Sequence, residues 1–322
     1  MSAARRTVYT CYFVVPHDVL LLDVAGPAEA LRCADCYADG AAFDLRYVGP
    51  QERIASSVGL TLAGIEPLPE KLPENAILFV SGTRGGEVDR ESAPTRETIA
   101  WLRRAAPRAR ALVCICSGAL LAAAAGLLHG RACTTHHAHT GDLRGLDPSA
   151  DVRENRIFVR DESIYTSAGV TSGIDLTLHL IAELAGPICA VKVARNLVVY
   201  LRRNGADPQL SPWLEGRNHT HPAVHDAQDA LAADPARDWD LPSLAAIAGT
   251  SPRHLTRLFR AYAGTNPTEY LHRLRVALAR ELLTQTTLDI ERVAERAGFG
   301  STRQLRRVWR KFHSAPPRAI RP

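Results

Sequence analysis

The sequence predicts two domains of different class: a doubly wound α/β sheet in the first half of the chain, and an all-α domain in the last third. Three observations carry this. Short apolar runs alternate with stretches of helical spacing up to about residue 187. No strand pattern returns after a Pro-, Gly- and Asn-rich stretch, "RNGADPQLSPWLEGRNHTHP". A 17-residue pattern in the last third then occurs twice, offset by 50 positions.

The elements follow in order. "TVYTCYFVV" predicts the first strand, and "GPAEALRCADCYA" a helix with Pro27 near its first turn, where a missing N–H costs little. "FDLRYVG" predicts a second strand. "AILFVSG" is apolar throughout and ends in Gly, as a parallel strand buried on both faces requires. "TRETIAWLRRAA" has helical spacing. "RALVCIC" is a strand that runs directly into the helix "GALLAAAAGLL". "IYTSAG" and "GIDLTLHLIAELAG" are the last strand and helix, the latter closed by Gly186. Such alternation builds a parallel sheet covered by helices on both faces. The expected boundaries are 7–187 for the α/β domain, 188–221 for a linker and 222–322 for the helical domain.

Composition narrows the function. A chain of 322 residues with 46% hydrophobic and 23% charged residues is an ordinary globular protein of about two domains. Net charge is +5, but His219 onward carries 16 basic and 10 acidic residues, leaving −1 for the rest. That asymmetry points to an anionic partner for the C-terminal part. The seven cysteines, an odd number in a long chain, fit free thiols in a reducing cytoplasm. Cys33 and Cys36 form a CxxC with no second pair, and the cluster of Cys133, His136, His137 and His139 lacks a zinc-site spacing, so neither metal nor cofactor is expected. His17, Asp18 and Asp23 interrupt any signal-peptide core. Residues 111–128 are uncharged, but Ser117, Gly118 and the alanines argue against a membrane span.

Each C-terminal copy reads as helix–turn–helix. In the first, Leu244, Ala248, Leu255 and Leu258 bury the angle between two helices, Gly249 stops the first helix and Ser251 caps the second. In the second, Val293, Ala297, Leu305, Val308, Gly298 and Ser301 take the same roles. Leu255, Leu258, Phe259 and Tyr262 predict the core face of the first reading helix, leaving Arg253, Thr256, Arg257 and Arg260 outward. Arg303, Arg306, Arg307 and Arg310 face outward in the second. Long planar donors on a short helix suit guanine edges and phosphates in the major groove.

Residues 222–322 resemble the AraC/XylS family of bacterial transcription regulators, through "SPRHLTRLFRAYAGTNPTEYLHRLRVALARELL" and "LDIERVAERAGFGSTRQLRRVWRKF". The resemblance implies two helix–turn–helix units joined by one long helix, about Pro267 to Leu283, that sets two reading helices in successive grooves of double-stranded DNA. It implies base-edge roles for Arg253, Thr256, Arg257, Thr302, Arg303, Arg306 and Arg307, and phosphate roles for Arg260 and Arg310. The ending "HSAPPRAIRP" lacks the glycine and final aromatic usual in that family.

Cys116 stands between a strand and a helix, in a small-x-nucleophile-x-Gly arrangement with Gly118. A helix N-terminus favours an anion there, which predicts thiolate character. Asp23 and His136 are candidate partners, although Asp23 also fits a cap for a helix starting at Gly26. "SGTRGG" (81–86) offers backbone N–H groups for an oxyanion. Redox sensing by Cys114 and Cys116 is a further reading.

The first half resembles the ThiJ/PfpI (class I glutamine amidotransferase-like, flavodoxin-like) fold, through "LLDVAGPAEAL", "FVSGT", "CSGALLAAAAGLLHGRACTTHHAH" and "TSAGVTSGIDLTLHLI". It is most similar to the isonitrile-hydratase-like branch, whose catalytic Asp and Cys match Asp23 and Cys116. In the protease and deglycase branches His follows the cysteine, whereas here it is Ser117. The two halves together resemble GlxA-type AraC regulators, whose α/β domain senses a small molecule and dimerises. The expected function is therefore a cytoplasmic, nucleoid-associated, ligand-responsive DNA-binding regulator that forms a homodimer and is not an enzyme. The expected pocket is Asp23, Gly82, Cys116, Ser117, His136 and Gly169. The alternative is a cysteine-dependent hydratase or hydrolase fused to a DNA-binding module.

Overall fold

The computed structural model describes residues 6–320, apart from 87, 200–202, 208, 210–216, 218, 220 and 314. The chain forms two compact units, Met1–Gln209 and Leu210–Pro322.

The first unit runs β1 (Thr7–Val14), α1 (Leu21–Tyr37), β2 (Ala41–Val48), a hairpin of β3 (Arg53–Ala55) and β4 (Thr61–Ala63), then β5 (Ala76–Val80), α2 (Ala93–Ala105), β6 (Ala111–Ile115) and α3 (Gly118–Ala124). It continues with β7 (Ala132–Cys133), α4 (Thr140–Leu146), β8 (Asp151–Val152), β9 (Phe158–Asp161), β10 (Ile164–Ser167), α5 (Ser172–Ala185) and α6 (Pro187–Asn196). The main sheet has the order β2-β1-β5-β6-β10-β9, with β9 antiparallel at the edge and the other five parallel. Counting the parallel strands alone, the order is that of a flavodoxin-like sheet, which reverses between β1 and β5.

Strand periodicity explains why both faces are apolar. Ile77 and Phe79 of β5 point into the layer of α1, α5 and α6, with Leu31, Leu176 and Val193. Leu78 and Val80 point into the opposite layer of α2 and α3, with Leu102 and Leu120.

Three expectations are corrected. Helix α1 begins at Leu21, not Gly26, and Gly26 is a crossing point within it: a Cβ there would lie 2.9 Å from Ile174 of α5. Tyr262 is 49% exposed rather than in the core and stacks near His221, 4.6 Å between ring centroids. The first unit does not end at 187. Helix α6 buries Cys189, Ala190 and Val193 in its core, and Arg203 and Gln209 also bond to the first unit.

The second unit comprises α7 (Pro222–Ala233), α8 (Leu241–Ile247), α9 (Pro252–Ala263), α10 (Pro267–Gln285), α11 (Ile290–Arg296) and α12 (Thr302–Trp309). The caps fall where the sequence puts them. Ser251 Oγ accepts from the His254 amide at 3.3 Å and Ser301 Oγ from Gln304 at 3.1 Å. Gly249 and Gly298 take left-handed φ of 60° and 75° after α8 and α11. There are two small cores on one shared helix. Tyr270, Leu271 and Leu274 of α10 belong to the first, and Val276, Ala279 and Leu283 to the second. The divergent ending still closes the second core: Pro317 is buried, Ile320 packs on it and Trp309 Nε1 donates to the Ala315 carbonyl at 2.9 Å.

Candidate functional site

The C-terminal ends of β1, β5, β6 and β10 converge where the strand order reverses, the usual ligand position in such sheets. Cys116 follows β6 with φ 56°, a left-handed elbow that turns the strand into α3. Only glycine fits behind it: a Cβ on Gly118 would lie 2.0 Å from the Val80 carbonyl oxygen. Gly169 and Gly82 are equally constrained, since a Cβ on either would lie 2.1 Å and 2.9 Å, respectively, from the Cys116 Cβ.

Asp23 is fully buried in the first turn of α1 and caps nothing; it faces the elbow. Its Oδ1 accepts from the Val170 amide at 2.7 Å and its Oδ2 from the Gly82 amide at 3.2 Å. Burial pushes its carboxyl up to about 6 against the pull of these two amides and the Cys116 thiol. Burial, then the Asp23 charge, pushes the Cys116 thiol up to about 12. This corrects the expected thiolate. Desolvation and a neighbouring carboxylate outweigh the seven-residue helix behind the elbow.

Ser117 Oγ accepts from the Thr83 amide at 2.9 Å and donates to the Thr83 carbonyl at 3.3 Å, pinning the loop after β5. Most of that loop's amides are already engaged. The amides of Gly82, Thr83, Arg84 and Gly86 already donate to Asp23, Ser117, Asp18 and Thr83. His136 is half-buried, and its Nδ1 accepts from the Ala138 amide at 3.3 Å. Burial and the neighbouring His137 and His139 lower its pKa to about 4, so the ring is neutral. The link from that segment to the elbow is Thr135, whose Oγ1 donates to the Cys116 carbonyl at 2.9 Å.

Five of the six expected pocket residues, Asp23, Gly82, Cys116, Ser117 and Gly169, therefore meet, while His136 contacts Ala138 and the His137 and His139 rings; Cys116 itself is only 3% exposed. A cavity of about 350 Å³ opens beside α1 and the β3–β4 hairpin, lined by Val15, Leu21, Val24, Tyr47 and Ile65. Another of about 170 Å³ lies among His17, Asp18, Thr83, Arg84 and Thr98. Cys116 lines neither. Cys114 is fully buried in the α2–α3 layer, whereas Cys116 packs in the α1–α5 layer, which removes the redox-pair reading. Sequence reading missed Val170, Thr135 and Thr83. A valine at φ 52° leaves no local signature. Among the described residues no cluster of three or more His, Cys, Asp or Glu is arranged to hold a metal, and no helix is long and apolar enough to cross a membrane.

In the second unit, α9 and α12 bury one stripe each: Leu255, Leu258 and Phe259, and Leu305, Val308 and Trp309. Arg253, Arg257, Arg260, Arg303, Arg306, Arg307 and Arg310 are exposed. Thr256 and Thr302 are half-buried, and the Thr256 hydroxyl donates to the Pro252 carbonyl at 3.0 Å. His254, which sequence reading missed, orients Arg257 through a 2.8 Å contact of its Nδ1. Between the two cores, Arg275 is buried, and it donates to the carbonyls of Pro235 and Arg237, both at 2.8 Å. Gly298 packs on that seam, since a Cβ there would lie 2.7 Å from Ala236. Arg275 and Gly298 thereby join the two small cores through the 235–237 loop.

A doubly wound unit with a buried Asp–Cys pair at its switch point, joined to paired helix–turn–helix motifs with arginine faces, defines a DNA-binding regulator of transcription. Residues 10–183 match the DJ-1/PfpI family and residues 244–322 a helix-turn-helix domain. The chain belongs to the DJ-1/PfpI family through its first unit and, over nearly its full length, to the AraC-type helix–turn–helix transcriptional regulators.

The chain is 30% identical over 321 residues to the HTH-type transcriptional regulator GlxA of Rhizobium meliloti, covering 99% of this chain and 98% of that one. It is 30% identical over 315 residues to the HTH-type transcriptional regulator GbdR of Pseudomonas aeruginosa, 98% and 84% of the two chains. Isonitrile hydratase of Pseudomonas putida is similar over 133 residues at 35% identity, 41% of this chain and 55% of that one. A ThiJ/PfpI family protein from Pseudomonas syringae shares the fold, with a TM-score of 0.54 at 22% identity over 77% of this chain and 93% of that one.

Proposed function

We propose that this protein is an effector-responsive regulator whose first unit senses a small molecule beside the Cys116 elbow, where Thr83 bonds Ser117 and lines the cavity of about 170 Å³, and whose second unit reads DNA through α9 and α12. The carrying observation for sensing is the Asp23 carboxylate, held by amides from two separate loops, after β5 and after β10. A ligand that displaces either loop changes the other through one buried group. Arg253, Thr256, Arg257, Thr302, Arg303, Arg306 and Arg307 read base edges, while Arg260 and Arg310 meet phosphate.

In this reading the unit is not an enzyme: Cys116 is only 3% exposed and lines neither cavity, so its sulfur does not face a substrate. The contact between Asp23 and Cys116 favours one second reading, a hydratase in which the carboxylate takes the thiol proton as the sulfur attacks. We place the protein in the cytoplasm as a homodimer. Val58 and Leu60, 63% and 59% exposed on the first unit, are surface that a second copy would cover.

The test is selection of bound sequences from random duplex DNA, followed by footprinting with and without amine, amide and quaternary-ammonium metabolites. A preferred site whose occupancy one metabolite changes supports the reading. Absence of any sequence preference at low salt defeats it. Isonitrile or amide consumption lost in Cys116→Ala would move the assignment to the enzyme.

A further inference from the structure

Resting on the reading of the Cys116 elbow as the sensing site, we propose that the described residues of 203–209 form a strap that couples the elbow to the chain entering the second unit. Both ends of the strap grip walls of the site. At one end Arg203 Nε and Nη2 both donate to Oδ2 of buried Asp175 of α5, at 2.9 Å and 2.6 Å, and the Arg203 amide donates to its Oδ1 at 3.0 Å. The Arg203 Nη2 also donates to Thr171 Oγ1 at 2.8 Å. Thr171 follows Val170, whose amide holds Asp23.

At the other end Gln209 Nε2 donates to the Thr135 carbonyl at 2.7 Å, and the Gln209 amide donates to Asn155 Oδ1 at 2.9 Å. Thr135 is the residue whose hydroxyl binds the Cys116 carbonyl. Between the ends, the amides of Ile157 and Phe158 donate to the Asp207 and Gly205 carbonyls at 3.0 and 3.4 Å. Gly205 lies against the Phe158 ring so closely that a Cβ would come within 2.9 Å of it.

The strap thus touches the site on both sides of Cys116 and ends at the boundary of the second unit, after Gln209. A ligand that shifts the 169–171 loop or the Thr135 segment pulls on Arg203 or Gln209. Release of the strap would let go up to roughly 24 Å of extended chain, at ~3.4 Å per residue. The two ends are polar clamps, so they let go without unfolding the apolar core.

Amide hydrogen exchange on the full chain tests this without knowing the effector. The reporters are the amides of Arg203 and Gln209, with those of β5 as internal reference. Gly169→Ala drives a methyl group into Cys116, and Thr135→Val deletes only the hydroxyl that binds its carbonyl. With β5 still protected, exchange at the strap should quicken by about tenfold in Thr135→Val and more in Gly169→Ala. Coupling is reciprocal, so Gln209→Ala should speed iodoacetamide labelling of Cys116 by a similar factor in a Cys36→Ser background. Unchanged strap exchange in Thr135→Val with β5 protected, or unchanged Cys116 labelling in Gln209→Ala, overturns the coupling. Should Gly169→Ala fail to fold, the other two variants decide. An effector that binds at the elbow while the strap stays protected would defeat the strap alone. A strap that passes in a protein that no metabolite binds would leave only the sensing reading defeated.

Discussion

Val170 donates its amide to Asp23 Oδ1 at 2.7 Å from a left-handed backbone, φ 52°, although the two residues are 147 positions apart. A β-branched residue pays roughly 1–2 kcal/mol for that conformation. The strain is held by a buried carboxylate that needs donors on both oxygens.

Asp23→Asn therefore aims one amide nitrogen at a backbone N–H. We expect a loss of about 1–3 kcal/mol in unfolding free energy, read from urea denaturation at about pH 4, where the folded wild type buries no charge at Asp23. A variant as stable as the wild type would show that the two amides find other partners.

The titration of Asp23 and His136 sets opposing pH slopes. Asp23 is raised to about 6 in the folded chain from 3.8, so its contribution is full below pH 3.8 and lost as pH rises through about 6. His136 is lowered to about 4 from 6.5, so its contribution is full above pH 6.5 and lost as pH falls through about 4. Stability measured between pH 4 and 6.5 should rise more steeply with pH in Asp23→Asn than in the wild type. His136→Gln should shift the slope the other way.

Cys116 is nearly inaccessible and its thiol is pushed up to about 12, while Cys36 is exposed. Iodoacetamide at pH 7.5 should label Cys36 first and leave Cys116 largely unmodified, as peptide mass spectrometry would report. Rapid labelling of Cys116 would restore the nucleophile reading.

Gly118→Ala places a methyl carbon 2.0 Å from the Val80 carbonyl oxygen, a backbone atom that cannot step aside alone. We expect destabilisation of about 3 kcal/mol in thermal or urea unfolding.

On the DNA side, Arg307→Ala should cost about 1–3 kcal/mol on the selected site with little change on random duplex. Equal weakening on both would make it a phosphate contact. Arg275→Met should lower stability by about 1–3 kcal/mol because the Pro235 and Arg237 carbonyls lose their donor. It should also relax the spacing that the protein requires between its two half-contacts.

The local signals of this sequence determined a good deal. The period of β5 separates Ile77 and Phe79 from Leu78 and Val80 and so calls for two helical layers. Ser251 and Ser301 cap, Gly249 and Gly298 stop, and the arginines fall opposite the leucines, because helix caps and the 3.6-residue turn act over a few positions. Asp23 and Cys116 were legible as a pair through the family resemblance. What only the tertiary structure decided lies at long range. The thiol stays protonated because Asp23, 93 positions away, and the surrounding core strip it of water. The amides expected to be free are bound to Asp23, Ser117 and Asp18. Residues that read as linker are held by Asp175 and Thr135. Burial and hydrogen-bond partners across the sheet are properties of the packed chain, and neither period nor motif spacing encodes them.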